Sequence, residues 1–346
     1  MRKAILLIIV VFLFVSPVSA MEITPPEVPE EAREYMPYET ESFGEGLWYI
    51  VKKGIEQLHP ALAESAGVCL SIIAVVLLTS LLHSFEGYSK TIVTLVSTVV
   101  ISLLLLKPAN VLIGLGIDTV EELSEYGKLL LPTMATALAA QGAAASSASL
   151  YMGTTLFNTI LTTLIANIVV PALYIYIAVF VANNAVSDDL LTNICKLIKW
   201  LITWALKIVL YVFSAYITIT GVVSGSADAS AVKAAKIAIS GAVPVVGNIL
   251  SDASETILVS AGIMKSAAGV TGVLALLAVW ISPFVKIGAQ YILLKLTAAI
   301  CGLYGNKQSI GLIKDFSSVM GFLLAMIGTI CLLHLISTVC FIKGAG

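Results

Sequence analysis

The chain has 346 residues, 59% of them hydrophobic and only 12% charged, with a mean hydropathy of +1.01. A soluble domain carries about twice that charged share, so this sequence has too few polar side chains to cover a surface facing water, whereas a lipid-facing surface needs none. A formal net charge of −2 without any basic stripe excludes a nucleic-acid partner.

Arg2 and Lys3 precede an apolar run from Ala4 to Val15, Pro17 breaks it, and Val18, Ser19 and Ala20 set small residues where a signal peptidase cuts. This pattern predicts a cleavable signal peptide over 1–20, with cleavage after Ala20; the alternative is an uncleaved anchor. Residues 21–64 are expected as an acidic extracytoplasmic lead and an amphipathic helix. The lead, from Glu22 to Glu45, carries eight carboxylates against Arg33, with Pro25, Pro26 and Pro29 near its start, and reads as a largely extended tether. Leu47, Ile50, Val51, Ile55 and Leu58 then mark one face of a helix from Phe43 to Glu64, lying on the membrane or packing against protein.

Residues 65–346 are expected to form the transmembrane domain. Charge-free runs delimit its spans, because a charge at mid-bilayer costs a few kcal/mol and a crossing needs roughly 20 residues. Ser65 to Leu82 and Thr91 to Leu106 are spans, the second flanked by Lys90 and Lys107. Asp118, Glu121, Glu122 and Glu125 mark an amphipathic helix outside the membrane core. Leu129 to Ser187 holds no charge. Its first part, to Ser149, is built from small residues around Gln141 and is expected to pack inside the bundle or re-enter. Tyr151 to Val170 is a span, continued past Pro171 by Ala172 to Asn183. Asp188, Asp189, Lys196 and Lys199 mark an interfacial helix, with Trp200 and Trp204 at headgroup level. Further spans are Ile208 to Ala227, Ser266 to Val285 and Ser317 to Ile342, with a helix near Ile287 to Leu303. The reading is all-α: a polytopic transmembrane helical bundle of six to eight crossings.

Pro132 and Pro171 lie 39 residues apart, as do Pro244 and Pro283, and the pairs are offset by 112. Leu131 to Met134 resembles Val243 to Val246, and each is followed by a small-residue helix, a span, a proline and another apolar helix. These four prolines are expected as helix breaks within an internal duplication of units 128–222 and 242–341, inverted if each unit crosses an odd number of times.

No phosphate-binding glycine loop, HExxH or catalytic Ser–His–acid arrangement occurs. Gly114, Gly116 and Asp118 only approach an intramembrane aspartyl protease motif, because Ile117 intervenes. The cysteines Cys69, Cys195, Cys301, Cys331 and Cys340 are scattered in apolar runs and read as small buried hydrophobes. No catalytic, cofactor or metal site is expected. His334 stands alone in an apolar helix and reads as a packing hydrogen-bond partner. Lys286 and Gln290 share a helical face and are candidates to line a polar path; Lys207 and Lys295 read as snorkelling side chains.

Two stretches carry a family resemblance: Glu125 to Leu138 (EYGKLLLPTMATAL) and Ser240 to Leu258 (SGAVPVVGNILSDASETIL). They resemble the stage III sporulation protein AE family of endospore-forming bacteria, and the likeness extends over nearly the whole mature chain. The resemblance implies a multi-pass, non-enzymatic subunit of the channel, or feeding tube, between mother cell and forespore. It would sit in the mother-cell membrane surrounding the forespore and support development after engulfment. It implies other stage III sporulation membrane proteins as partners. With no nucleotide loop in this chain, a separate ATPase subunit would supply energy. The alternative is a secondary transporter with a small-molecule site at the proline-broken helices.

Overall fold

The computed structural model describes residues 26–37, 42–85, 89–140, 142–186, 189–219 and 267–344. The cleavage site at Ala20, Gln141, Asp188, Pro244 and the second family stretch lie outside the described residues. Among those described, every regular element is helical: α1 Glu30–Arg33, α2 Phe43–Ser84, α3 Lys90–Ala140, α4 Ala144–Leu164, a π-helical turn Ile165–Val169, α5 Val170–Val186, α6 Asp189–Ile219, α7 Ala267–Cys301 and α8 Lys307–Gly344. Six helical paths are long and apolar enough to cross a bilayer, α4, the π turn and α5 forming one of them.

The helices are fewer and longer than the charge-free runs. The amphipathic stretch from Phe43 does not end at Glu64; it continues through Pro60 into the apolar run as a single 42-residue helix capped by the Ser42 hydroxyl. Its buried stripe is Phe43, Gly46, Ile50, Gly54 and Ala61, while Ile55 faces outward. Likewise Thr91 to Leu106, the acidic stretch and Leu129 onward fuse into α3, 51 residues or about 76 Å long. The hydrocarbon layer is about 30 Å thick. The charged segments at Lys107 and Asp118 to Lys128 therefore occupy length that a single crossing does not use. The small-residue segment from Leu129 to Ser149 packs inside the bundle, the first of its two expected placements, burying Leu130, Leu131, Met134 and Leu138, and it turns a corner between α3 and α4. Gly142 sits there at φ +94°, a conformation that needs glycine, and its N–H closes on the Ala139 carbonyl at 3.0 Å.

The prolines do not end their helices. Pro132 lies inside α3 and Pro283 inside α7. A missing N–H costs one helical bond, which neighbouring helices and side chains make tolerable in a packed bundle. Only Pro171 is accompanied by a change of helix type. The preceding turn widens to π, with Val170 N–H reaching the Ile165 carbonyl, and this relieves the proline ring's crowding of the turn before it.

The helices alternate in direction. Ser282 Oγ donates to Gln57 at 3.0 Å and Cys69 lies against Thr297, so α2 and α7 run parallel. Ser97 meets Ser309 at 3.4 Å and a Cβ on Gly116 would touch Leu323 and Met326, so α3 and α8 also run parallel. Thr154 donates to Ser337 at 2.9 Å and Tyr176 to Asp315 at 2.7 Å, which sets α4–α5 antiparallel to α8. The path α4–α5 thus points the same way as α7. The proposed units would therefore be parallel and not inverted copies, and a duplication remains our expectation from the proline spacing alone.

Helix α8 is the core of the bundle. Its apolar window is 94% buried, against 22% for α2. An all-round apolar helix of this kind is covered by protein, while α2 presents its outer face to lipid. The acidic lead is not a free tether over its described part, because Ala32 and Tyr35 are 2% and 4% exposed and Tyr35 contacts Gln57 of α2. Burial of these two side chains compensates the ordering of a proline-rich segment.

Candidate functional site

Three helices that pack along much of their length separate at one level and leave a cavity of about 610 Å³. Helix α2 supplies Ala61, Glu64, Ser65 and Val68, spaced three and four apart and therefore on one face. The two small residues in that set let the cavity form. Helix α3 supplies Lys107 and Pro108 between the leucines at 103–104 and the apolar turn Val111–Leu115. Helix α7 supplies Lys286 and Gln290, one turn apart. The volume lies within the range of small-molecule and cofactor pockets, roughly 300–1,000 Å³.

The two residues read from the sequence as a polar path therefore do share a cavity. Gln290 is 3% exposed, a buried amide, while Lys286 is exposed at the mouth. Sequence spacing missed Glu64 and Lys107, which come from helices more than 170 residues away. Each does sit at the boundary of a charge-free run, and that boundary was the available signal. No ion pair within 4 Å joins Glu64, Lys107 and Lys286 to one another among the described residues. Past Lys286 and Leu115, which line both spaces, lies a second cavity of about 350 Å³ bearing Asp118, Glu122 and Ser282. The pair of cavities thus grades from a mouth with two ammonium groups to a carboxylate-lined recess.

Two polar nodes hold the surrounding bundle. In the first, Asn158 of α4 donates to the Ser124 hydroxyl at 3.0 Å, and its carbonyl oxygen meets His334 Nε2 of α8 at 3.2 Å. Asn158 and His334 are 0% and 1% exposed. His334 thus packs as a hydrogen-bond partner, as its isolation in an apolar helix implied, and Gly127 of α3 makes the room: a Cβ there would clash with the imidazole ring. In the second node Asp315 of α8 accepts from Tyr176 at 2.7 Å, from Asn184 at 3.2 Å and from Lys199 at 3.0 Å, joining α5, α6 and α8. None of the five cysteines forms a disulfide, and all are buried. Lys295 lies 5.5 Å over the Tyr291 ring, and Trp200 and Trp204 stack on the outside of α6.

A family model described as stage III sporulation protein AE matches residues 36–345, almost the whole described bundle. The chain belongs to the stage III sporulation protein AE family. It is 24% identical over 264 residues to the stage III sporulation protein AE of Bacillus subtilis (strain 168), a match covering 76% of this chain and 66% of that relative. No solved structure matches. The family stretch from Glu125 to Leu138 lies on the helix that carries the first node: Tyr126, Leu130, Leu131, Met134 and Leu138 are buried in the core, and Gly127 seats His334. This membership makes the chain a sporulation protein, and its six apolar helices make it membrane-like.

Proposed function

We propose that this protein is a non-enzymatic subunit of the channel complex that joins mother cell and forespore, set in the mother-cell membrane around the forespore. The observation that carries the reading is a sporulation-family match over a chain with six helices fit to cross a bilayer. In this reading residues 1–20 direct export and are removed after Ala20, and the acidic lead begins outside the cytoplasm. Other stage III sporulation membrane proteins dock on the bundle. A separate ATPase subunit drives the assembly, since no nucleotide-binding loop occurs in the sequence.

The cavity between α2, α3 and α7 favours a second reading, a secondary transporter whose substrate passes Lys286 and Gln290. The two readings part in one experiment. Deletion of the gene in a sporulating host arrests forespore development after engulfment if the protein belongs to the channel, and normal spores refute it. Purified protein in vesicles moves no solute alone. Substrate-dependent uptake that disappears in Lys286→Ala favours the transporter.

A further inference from the structure

The cavity of about 610 Å³ lies where the charge-free runs of α2 and α3 end. On one side of it, α2 and α3 turn large apolar side chains outward: Leu70, Leu78, Ile92, Val96 and Leu103 are all well exposed. No charged residue interrupts 65–82 or 91–106. Immediately at the end of this belt stand Glu64 and Lys107, and Lys286 of α7 faces the same space. A lipid-facing belt ends at headgroup level, and basic residues between helices at that level bind phosphate headgroups. Leu103 belongs to both surfaces: it is exposed on the belt and it lines the cavity, so the apolar wall runs without interruption from lipid into the pocket.

We propose that this cavity is a binding site for an anionic glycerophospholipid with a hydroxylated headgroup, of the phosphatidylglycerol class. The phosphodiester sits between the Lys107 and Lys286 ammonium groups, neither of which is engaged by Glu64. Within this cavity two ammonium groups stand against the one carboxylate of Glu64, while Asp118 and Glu122 lie beyond Lys286 in the adjoining recess. Glu64 accepts from the headgroup hydroxyls and the Gln290 amide donates to an ester carbonyl or phosphate oxygen. The acyl chains leave along Val68, Leu103 and Leu104 into the belt. The proposal rests on the membrane embedding of the chain and not on its role in the channel.

The test is native mass spectrometry of the full-length protein released from detergent into which phosphatidylglycerol, phosphatidylethanolamine or inorganic phosphate has been titrated. Phosphatidylglycerol is expected to be retained as a single adduct. Lys107→Ala with Lys286→Ala should lower its retention at least about tenfold, the loss of charge-assisted contacts. Lys107→Arg with Lys286→Arg should keep it, and Lys295→Ala, whose ammonium lies over Tyr291 outside the cavity, should leave it unchanged. Equal retention in the double alanine variant overturns the site. Stronger retention of phosphatidylethanolamine overturns the lipid class. Retention of inorganic phosphate without lipid overturns a membrane source for the ligand. If the double alanine variant aggregates, the double arginine and Lys295→Ala variants still decide: loss of the adduct in the arginine variant, or in Lys295→Ala, refutes the proposal.

Discussion

Replacing Gly127 by alanine tests how tightly the three central helices are joined. In α3 the new Cβ clashes with the His334 ring, so the imidazole must shift from its place between α3 and α4. Overpacking of this kind costs about 1–3 kcal/mol. Displacing the ring also breaks its 3.2 Å contact with Asn158, a further ~0.5–1.5 kcal/mol between membrane helices. Alanine returns about 1 kcal/mol of helix propensity. The net expectation is a loss of about 1–3 kcal/mol. Thermal unfolding in detergent, followed with a thiol-reactive fluorophore, reads this directly because all five cysteines are buried in the folded state. In a His334→Ala background there is no ring to displace, so Gly127→Ala should become neutral or stabilising there. The same loss in both backgrounds, or a gain in the unmodified one, refutes the packing argument.

Three further outcomes follow from named contacts. Asp315→Ala strips the acceptor from Tyr176, Asn184 and Lys199 and should cost about 1–3 kcal/mol in the same melt; Lys199→Ala removes a donor that is 37% exposed and should cost under about 1 kcal/mol, so equal losses would contradict the node. Gly153→Ala should lower the melting temperature by a few degrees, since its Cβ would meet the Tyr216 ring whose hydroxyl donates to Ser149 at 2.8 Å; an unchanged melt would refute the close approach of α4 and α6. Gly142→Ala should destabilise by about 1 kcal/mol through its φ of +94° alone, while Gly142→Asn should cost less, and equal effects of the two would contradict a left-handed turn.

Fold class was legible from composition and charge-free runs, because a mid-bilayer charge is costly enough to leave gaps that a reader can measure. Helix boundaries were not legible. Lys107 and the acids from Asp118 to Glu125 looked like the edges of separate helices, yet all lie on one continuous α3 with its buried stripe intact through Gly116, Val120 and Leu123. Charge marks what a helix faces and says little about where it stops. The prolines misled for a related reason: Pro132 and Pro283 lose one hydrogen bond each, which packing at the core outweighs, and only Pro171 leaves a visible mark in the π turn. Of the cavity, Lys286 and Gln290 were readable because they are one helical turn apart. Glu64 joins them through the parallel pairing of α2 with α7, and Lys107 through the packing of α3 against both, which no local pattern encodes.

The central claim, membership in a membrane complex of the sporulating cell, is tested most directly by affinity purification from detergent-solubilised cells after engulfment. The protein is predicted to bring down other stage III sporulation membrane proteins in fixed proportion, from the membrane around the forespore. Recovery of this chain alone, from cells that have completed engulfment and express those proteins, would contradict it.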